Sequence, residues 1–244
     1  VIRGIFVTGT GTDVGKTVVA AGLLRLFRSL GVDAVPMKPV QTGVLRDADG
    51  HLRAPDLELA LSAARLSPDA AERGRMTPYL YEPPCAPHLA ARLYGNPVDL
   101  SVIADAARWL ARRHEALVVE GAGGVLAPIG EGHTMADLMT LLALPVVLVS
   151  PGGLGAINHA LLSIEAIRAR GLRLAGVVMT ETRPVPEVSR YIHEDNVRTI
   201  AQAGETRILA RLPYLGHAPD WARVDSAMGG CRDLLDLCDA PEFP

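Results

Sequence analysis

Lys16 and Thr17 close the run Val7-Thr8-Gly9-Thr10-Gly11-Thr12-Asp13-Val14-Gly15-Lys16-Thr17, which follows the apolar stretch from Ile2 and opens an apolar-periodic stretch from Val18 to Leu30. The pattern reads as strand, glycine-rich loop and helix. Backbone N–H groups in such a loop, with the unpaired donors and positive dipole end of the following helix, form a cradle for phosphate. Lys16 adds a point charge and Thr17 a hydroxyl suited to Mg²⁺. The general nucleotide-loop pattern places four residues between its first Gly and Gly-Lys-[Ser/Thr], which leads back to Thr10, whereas counting from Gly9 gives five.

Two further charged residues end apolar stretches. Lys38 follows Ala34–Met37 and begins Lys38-Pro39-Val40-Gln41-Thr42-Gly43. Beside a phosphate loop its ammonium can neutralise a transferring phosphoryl group or hold a substrate anion, through charge-assisted hydrogen bonds worth about 1.5–3 kcal/mol each. Glu120 follows Leu117-Val118-Val119 and precedes Gly121-Ala122-Gly123-Gly124. A carboxylate at a buried strand end needs a cation, and Mg²⁺ beside nucleotide phosphates commonly takes one or two carboxylates. The pairing of Glu120 with Thr17 follows from that chemistry. The run Gly152-Gly153-Leu154-Gly155-Ala156-Ile157-Asn158-His159 leads into a helix that extends to about Arg170, a second helix start able to receive an anion.

Apolar stretches at Ile2–Val7, Ala34–Met37, Ala116–Val119, Pro145–Val149, Leu174–Met179 and Arg207–Leu209 read as strands, with helical patterns between most of them. Asp99 to Arg113 shows the period well, with Leu100, Ile103, Ala104, Ala107, Leu110 and Ala111 on one face and Arg108, Arg112 and Arg113 on the other. Continuous apolar strands alternating with amphipathic helices predict an α/β fold, a mostly parallel sheet with helices on both faces. Ligands of such sheets lie beyond the carboxyl ends of the strands, so the four polar segments above are expected to meet on one rim.

The remaining segments carry weaker signals. Leu45 to Pro55 reads as an irregular polar loop, and Asp56 as the N-cap of the next helix. Tyr81 to His88 is proline-dense and extended, ahead of a helix near Leu89; His88 is equally a core, cap or functional histidine. Helices are expected at Glu187–Ala203 and Met228–Cys238.

The chain has 244 residues, 49% hydrophobic and 21% charged, with a net charge of −3. That length and composition support one domain over positions 1–244 with a sizeable core. The absence of a basic run argues against a nucleic-acid partner. The longest apolar stretch, Leu138 to Val149, is too short to span a bilayer, and no export leader is visible, so a cytoplasmic location is expected. Cys85, Cys231 and Cys238 lack metal-site spacing and read as free thiols.

Taken together, these motifs resemble those of the dethiobiotin synthetase family, P-loop ligases of the biotin pathway. The longer phosphate loop from Gly9 to Thr17, Lys38-Pro39-Val40-Gln41-Thr42-Gly43, Ala86-Pro87-His88, Val119 to Gly124 and Gly155-Ala156-Ile157-Asn158-His159-Ala160 occur in the family's order, over about positions 2 to 220. The resemblance implies a P-loop NTPase-like fold and ATP- and Mg²⁺-dependent closure of a cyclic urea on 7,8-diaminononanoate with CO₂. It implies that Lys16 and Lys38 contact phosphate and carbamate, that Thr42 contacts substrate, and that Thr17, Asp56 and Glu120 hold the metal.

By the same carry-over the nucleotide would lie against Asp13, Val14, Gly15, Lys16, Thr17, Val18, Asp56, Glu120, Gly121, Ala122 and Gly123, with Thr180, Glu181, Pro213, Tyr214, Leu215 and Asp220 around base and ribose. The helix start Gly155, Ala156, Ile157 and Asn158 would hold the substrate carboxylate of the neighbouring subunit, which implies a homodimer. Where the family often carries Asn to read adenine, this chain has Thr180. Its single hydroxyl predicts looser discrimination among nucleoside triphosphates.

A reading from another class is a nucleotide-switch ATPase of the partitioning or septum-positioning kind. Such proteins usually carry a second lysine early in the loop, and Thr10-Gly11-Thr12-Asp13 has none. An amide-forming ligase acting on a cobalamin precursor would usually need an additional glutaminase region.

Overall fold

The computed structural model describes residues 2–216 and 218–238. Six strands form the central sheet: β1 Gly4–Gly9, β2 Ala34–Met37, β3 Ala116–Glu120, β4 Val146–Pro151, β5 Leu174–Thr180 and β6 Ile208–Leu212. Their spatial order is β6-β5-β4-β1-β3-β2, and every adjacent pair is parallel. From β1 the chain serves β2 and β3 on one side and β4 to β6 on the other. The carboxyl end of β1 therefore lies where the strand order diverges, the place at which open α/β sheets bind ligands.

The two-residue alternation of each strand divides the core. Ile5, Val7, Val118, Val147, Val149 and Val178 face one layer, which contains α1 Lys16–Ser29 and a helix at Trp221–Met228. Phe6, Leu117, Val119, Leu148, Val177 and Met179 face the other, built from helices at Leu100–Ala111, Met135–Leu142, Ala156–Arg168 and Arg190–Ala203. The helix Pro55–Ala64 contributes Leu57 and Leu61 to this layer and Ala60 and Ala63 to the first. Each large apolar side chain buried in this way stabilises the fold by about 1.5–3 kcal/mol.

Several elements differ from their sequence reading. The Leu45–Pro55 segment is an ordered antiparallel hairpin of Leu45–Arg46 and Leu52–Arg53. Asp47 organises it by accepting from the backbone N–H groups of Asp49 and His51 and from Arg53 Nε. The helix expected over Met228–Cys238 is instead a helix at Trp221–Met228, a 3₁₀ turn at Gly229–Cys231 and a short helix at Leu234–Cys238. Gly229 and Gly230 interrupt the period, since glycine is the least favourable helix residue after proline. Glu187–Ser189 is likewise a 3₁₀ turn ahead of the helix Arg190–Ala203. The helix after the proline-rich segment starts at Pro87 rather than near Leu89, because proline suits the first helical position.

Candidate functional site

β1 ends in the phosphate loop, and Gly15 is the N-cap of α1 with φ of 94°. An L-residue would be strained there, and a Cβ would also lie 3.3 Å from Thr180 Cγ2. The loop therefore rests directly on the end of β5. Thr180 is buried and its hydroxyl donates to the Val14 carbonyl at 2.8 Å, so that hydroxyl is committed to holding the loop. Its hydroxyl proton is therefore not available to a base.

In front of the loop lies a cavity of about 1100 Å³, into which the carboxyl ends of β1, β2 and β3 open. Asp13, Gly15, Lys16, Thr17, Val18, Lys38, Thr42, Asp56, Glu120, Ala122 and Gly123 all line it. Val14 and Gly121 are buried behind its wall. The loop, the Lys38 segment and the Glu120 segment thus meet on one rim.

A buried charge cluster occupies the floor. Lys38 Nζ lies 2.6 Å from Glu120 Oε1 and 2.6 Å from Asp56 Oδ2, and also donates to the Gly121 carbonyl at 3.2 Å. Thr17 Oγ1 donates to the same Glu120 oxygen at 2.9 Å, and Lys16 Nζ donates to the Gly11 carbonyl at 2.7 Å. Burial alone would lower the Lys38 ammonium, but Glu120 and Asp56 outweigh it and hold the group above the ordinary lysine value. Burial raises the Glu120 carboxyl, with Asp56 adding to the rise and Lys38 opposing it. Lys16 is lowered, first by burial and then by Lys38.

Two carboxylates sharing one ammonium leave room for further positive charge. Thr17, Asp56 and Glu120 present only oxygen donors, which fits a hard dication such as Mg²⁺. Asp56 does not cap its helix as the sequence suggests: Ala54 is the N-cap and Pro55 the first helical residue, and the Asp56 carboxylate turns to Lys38.

The other expected residues lie outside the walls of that cavity. Glu181 N–H donates to the Leu212 carbonyl, and Glu181 Oε2 accepts from Tyr214 N–H at 3.4 Å, which ties the Pro213–Leu215 segment to the end of β5. Thr180 and Glu181 border a second cavity of about 630 Å³, together with Ala156. Asp220 caps the helix Trp221–Met228, accepting from the backbone N–H groups of Ala222 and Arg223. Gly155 and Asn158 are exposed, Ile157 is half-buried, and Gly155, Ile157 and Asn158 are absent from the walls of both cavities.

His159, Leu162, Ser163 and Ala166 add one face of the helix Ala156–Arg168 to the main cavity. Helical spacing alone makes such a face look like ordinary core. Cys85 lines the cavity, whereas Cys231 and Cys238 are buried in the core. His88 does not line the cavity, and its Nδ1 is buried without a hydrogen-bond partner among the described residues. No described helix is long and apolar enough to cross a membrane.

Comparisons with known proteins agree with this geometry. A family model described as an AAA domain matches residues 3–218. An ATP-dependent dethiobiotin synthetase BioD of Anaeromyxobacter dehalogenans (strain 2CP-1) is 43% identical over 228 residues, 93% of this chain and 96% of that protein. The protein of the same description from Halalkalibacterium halodurans is 40% identical, over 88% of this chain and 86% of its own length. Among solved structures, the MinC:MinD cell division protein complex of Aquifex aeolicus matches with a TM-score of 0.58 at 13% identity, covering 99% of this chain and 97% of that one. The signal recognition particle receptor FtsY of Elizabethkingia anophelis matches at 0.50 and 15%, covering 97% of this chain and 65% of that one. At such identities the two structures show the shared P-loop NTPase-like fold alone. Identity of 40–43% to the synthetases over 88–93% of this chain, whose loop, lysine and carboxylates converge on one cavity, decides the assignment: this chain belongs to the dethiobiotin synthetase family.

Proposed function

We propose that this ligase forms the two carbon–nitrogen bonds of a cyclic urea, converting 7,8-diaminononanoate, CO₂ and ATP into dethiobiotin, ADP and phosphate. The observation that carries the reading is the convergence of Lys16, Lys38, Asp56, Glu120 and Thr17 on the cavity beside the phosphate loop.

One amine of the diamine, in its neutral form, adds to CO₂ and releases a proton, giving a carbamate. Nearby lysine charge favours the neutral amine by lowering its pKa. A carbamate oxygen then attacks the γ-phosphorus, the bond from that phosphorus to the ADP oxygen breaks, and a carbamic–phosphoric anhydride results. The second amine attacks the carbonyl carbon, expels phosphate, loses a proton and closes the ring.

Carbamate and triphosphate are both anions, so the site must supply positive charge. Lys16, Lys38 and the loop N–H groups stabilise charge on the transferring group, the usual source of catalysis in phosphoryl transfer. Thr17, Asp56 and Glu120 would hold Mg²⁺, which supplies further charge neutralisation when bound. No protein nucleophile is needed.

Gly155, Ala156, Ile157 and Asn158 receive the substrate carboxylate in the cavity of a neighbouring subunit, and the protein works as a homodimer. The exposed side chains of Leu154, Leu162, Val188 and Tyr191 support a second copy as the partner of that surface. Glu181, Pro213, Tyr214, Leu215 and Asp220 flank base and ribose. With Thr180 engaged by the loop, they leave base discrimination loose.

Phosphate release measured with each nucleoside triphosphate, with and without diamine plus bicarbonate, tests the assignment. Release that requires both, with a cyclic urea detected by mass, supports it. Diamine-independent hydrolysis would favour a nucleotide-switch ATPase.

A further inference from the structure

The segment that carries the proposed carboxylate cradle has little to hold it by itself. Gly152-Gly153-Leu154-Gly155 leaves β4 with three glycines, and its one large side chain, Leu154, is 95% exposed. Such a segment samples many conformations unless something outside it fixes the backbone. The fixing group is on the helix Arg190–Ala203. Asn196 is buried, at 6% exposure, and its Nδ2 donates to the Gly152 carbonyl at 2.8 Å and to the Gly153 carbonyl at 2.9 Å. The Gly153 carbonyl also accepts from Ala156 N–H at 3.1 Å, so one acceptor links Asn196 to the first residue of the following helix. From the opposite side, Gly152 N–H donates to the Thr180 carbonyl at 3.0 Å. His193 packs so closely that a Cβ on Gly152 would lie 2.6 Å from its Nδ1.

We propose that Asn196 is a positioning residue for the substrate carboxylate: it fixes Gly152 and Gly153, and through them Ala156 N–H, so that the amide groups at Gly155, Ile157 and Asn158 point in a constant direction. The inference rests on the reading that this helix start receives the diamine's carboxylate from the partner's cavity. Free backbone amides bind an anion well only when their directions are set in advance, because ordering a glycine-rich turn at the moment of binding opposes the affinity. Asn196 removes that ordering step. Both hydrogen bonds of its amide go to Gly152 and Gly153 and neither goes to the phosphate loop, so its direct effect is on diamine binding rather than on ATP.

The test is steady-state kinetics on the full chain with Asn196→Ala and Asn196→Asp. Aspartate keeps the size of the side chain but offers no donor to the two carbonyls. Both variants are expected to raise the KM for diamine about tenfold or more, the loss of one or two hydrogen bonds, while the KM for ATP stays within about twofold. The melting temperature identifies a variant that has not folded, and the other substitution then carries the measurement. A diamine KM within about twofold of the parent in a folded variant overturns the proposal, as does an equal rise in both KM values.

The underlying reading is tested separately by mixing Lys38→Ala with Asn158→Glu, whose added negative charge repels a carboxylate at the cradle, at low diamine. Random subunit exchange gives half heterodimers, each with one intact site if the cradle serves the partner, so activity returns toward about a quarter of the sites. No recovery overturns the shared site, whatever the Asn196 kinetics show.

Discussion

Lys38 Nζ and Glu120 Oε1 stand 2.6 Å apart although 82 positions separate the two residues in the chain. Parallel pairing of β2 with β3 in register, Met37 opposite Val119, brings the strand ends side by side and delivers lysine and carboxylate to one buried floor. Asp56 approaches the same ammonium from the helix Pro55–Ala64. A dication on these carboxylates must share or take over what Lys38 now holds.

That competition has a measurable consequence. In Lys38→Met the carboxylates lose their internal cation, and Mn²⁺ binding without nucleotide, followed by electron paramagnetic resonance, is expected to tighten about tenfold, equivalent to about 1.4 kcal/mol of relieved competition. Unchanged or weaker binding would show that Lys38 does not oppose the metal at this site.

Thr180 supports the phosphate loop through its bond to the Val14 carbonyl. Thr180→Val keeps the shape and removes the donor, which costs about 1–3 kcal/mol when a buried carbonyl is left unpaired. The KM for ATP is expected to rise about tenfold and Thr180→Ser to lie between parent and Val. Equal ATP kinetics for all three proteins would remove the loop-supporting role.

Tyr81 anchors the small parallel sheet of Val40–Thr42 with Tyr79–Tyr81, which carries Thr42 to the cavity wall. Its hydroxyl donates to the Asn96 carbonyl at 2.6 Å, and burial, with a smaller contribution from Tyr79, raises its pKa to about 12 from a model-compound value of 10.0. A raised folded value means that this group's stabilisation is complete below the unfolded value and is lost as pH rises through the folded one. Denaturant unfolding of Tyr81→Phe is expected to show about 1 kcal/mol less stability at neutral pH and a flatter decline in the alkaline range. An identical alkaline decline would mean that another group governs it.

Much of this architecture was legible in the sequence because strands and loops announce themselves locally. Runs such as Leu117-Val118-Val119 and the glycine-lysine-threonine loop fix both the sheet and its binding rim. Asp56 was harder, because a carboxylate after proline looks like a cap until the fold turns it toward Lys38. The loop contact of Thr180 was hidden for a similar reason: it depends on β5 reaching the loop, a contact between residues 166 positions apart. Two-residue strands like Leu45–Arg46 carry no period, so the Asp47-centred hairpin left no pattern to read. Asn196 gave no signal, since a polar residue in a helix ordinarily faces water.

If this cationic floor drives a carbamate oxygen onto the γ-phosphorus, that oxygen leaves with the phosphate, and isotopic labelling follows it. The enzyme would be run for a single turnover with ¹⁸O-labelled CO₂ and bicarbonate, diamine and Mg·ATP, and the released phosphate analysed by mass. One labelled oxygen is expected in the phosphate for each cyclic urea formed, with loss of both products in Lys38→Ala while the fold is retained. Unlabelled phosphate accompanying ring closure, or full turnover in Lys38→Ala, would contradict that transfer.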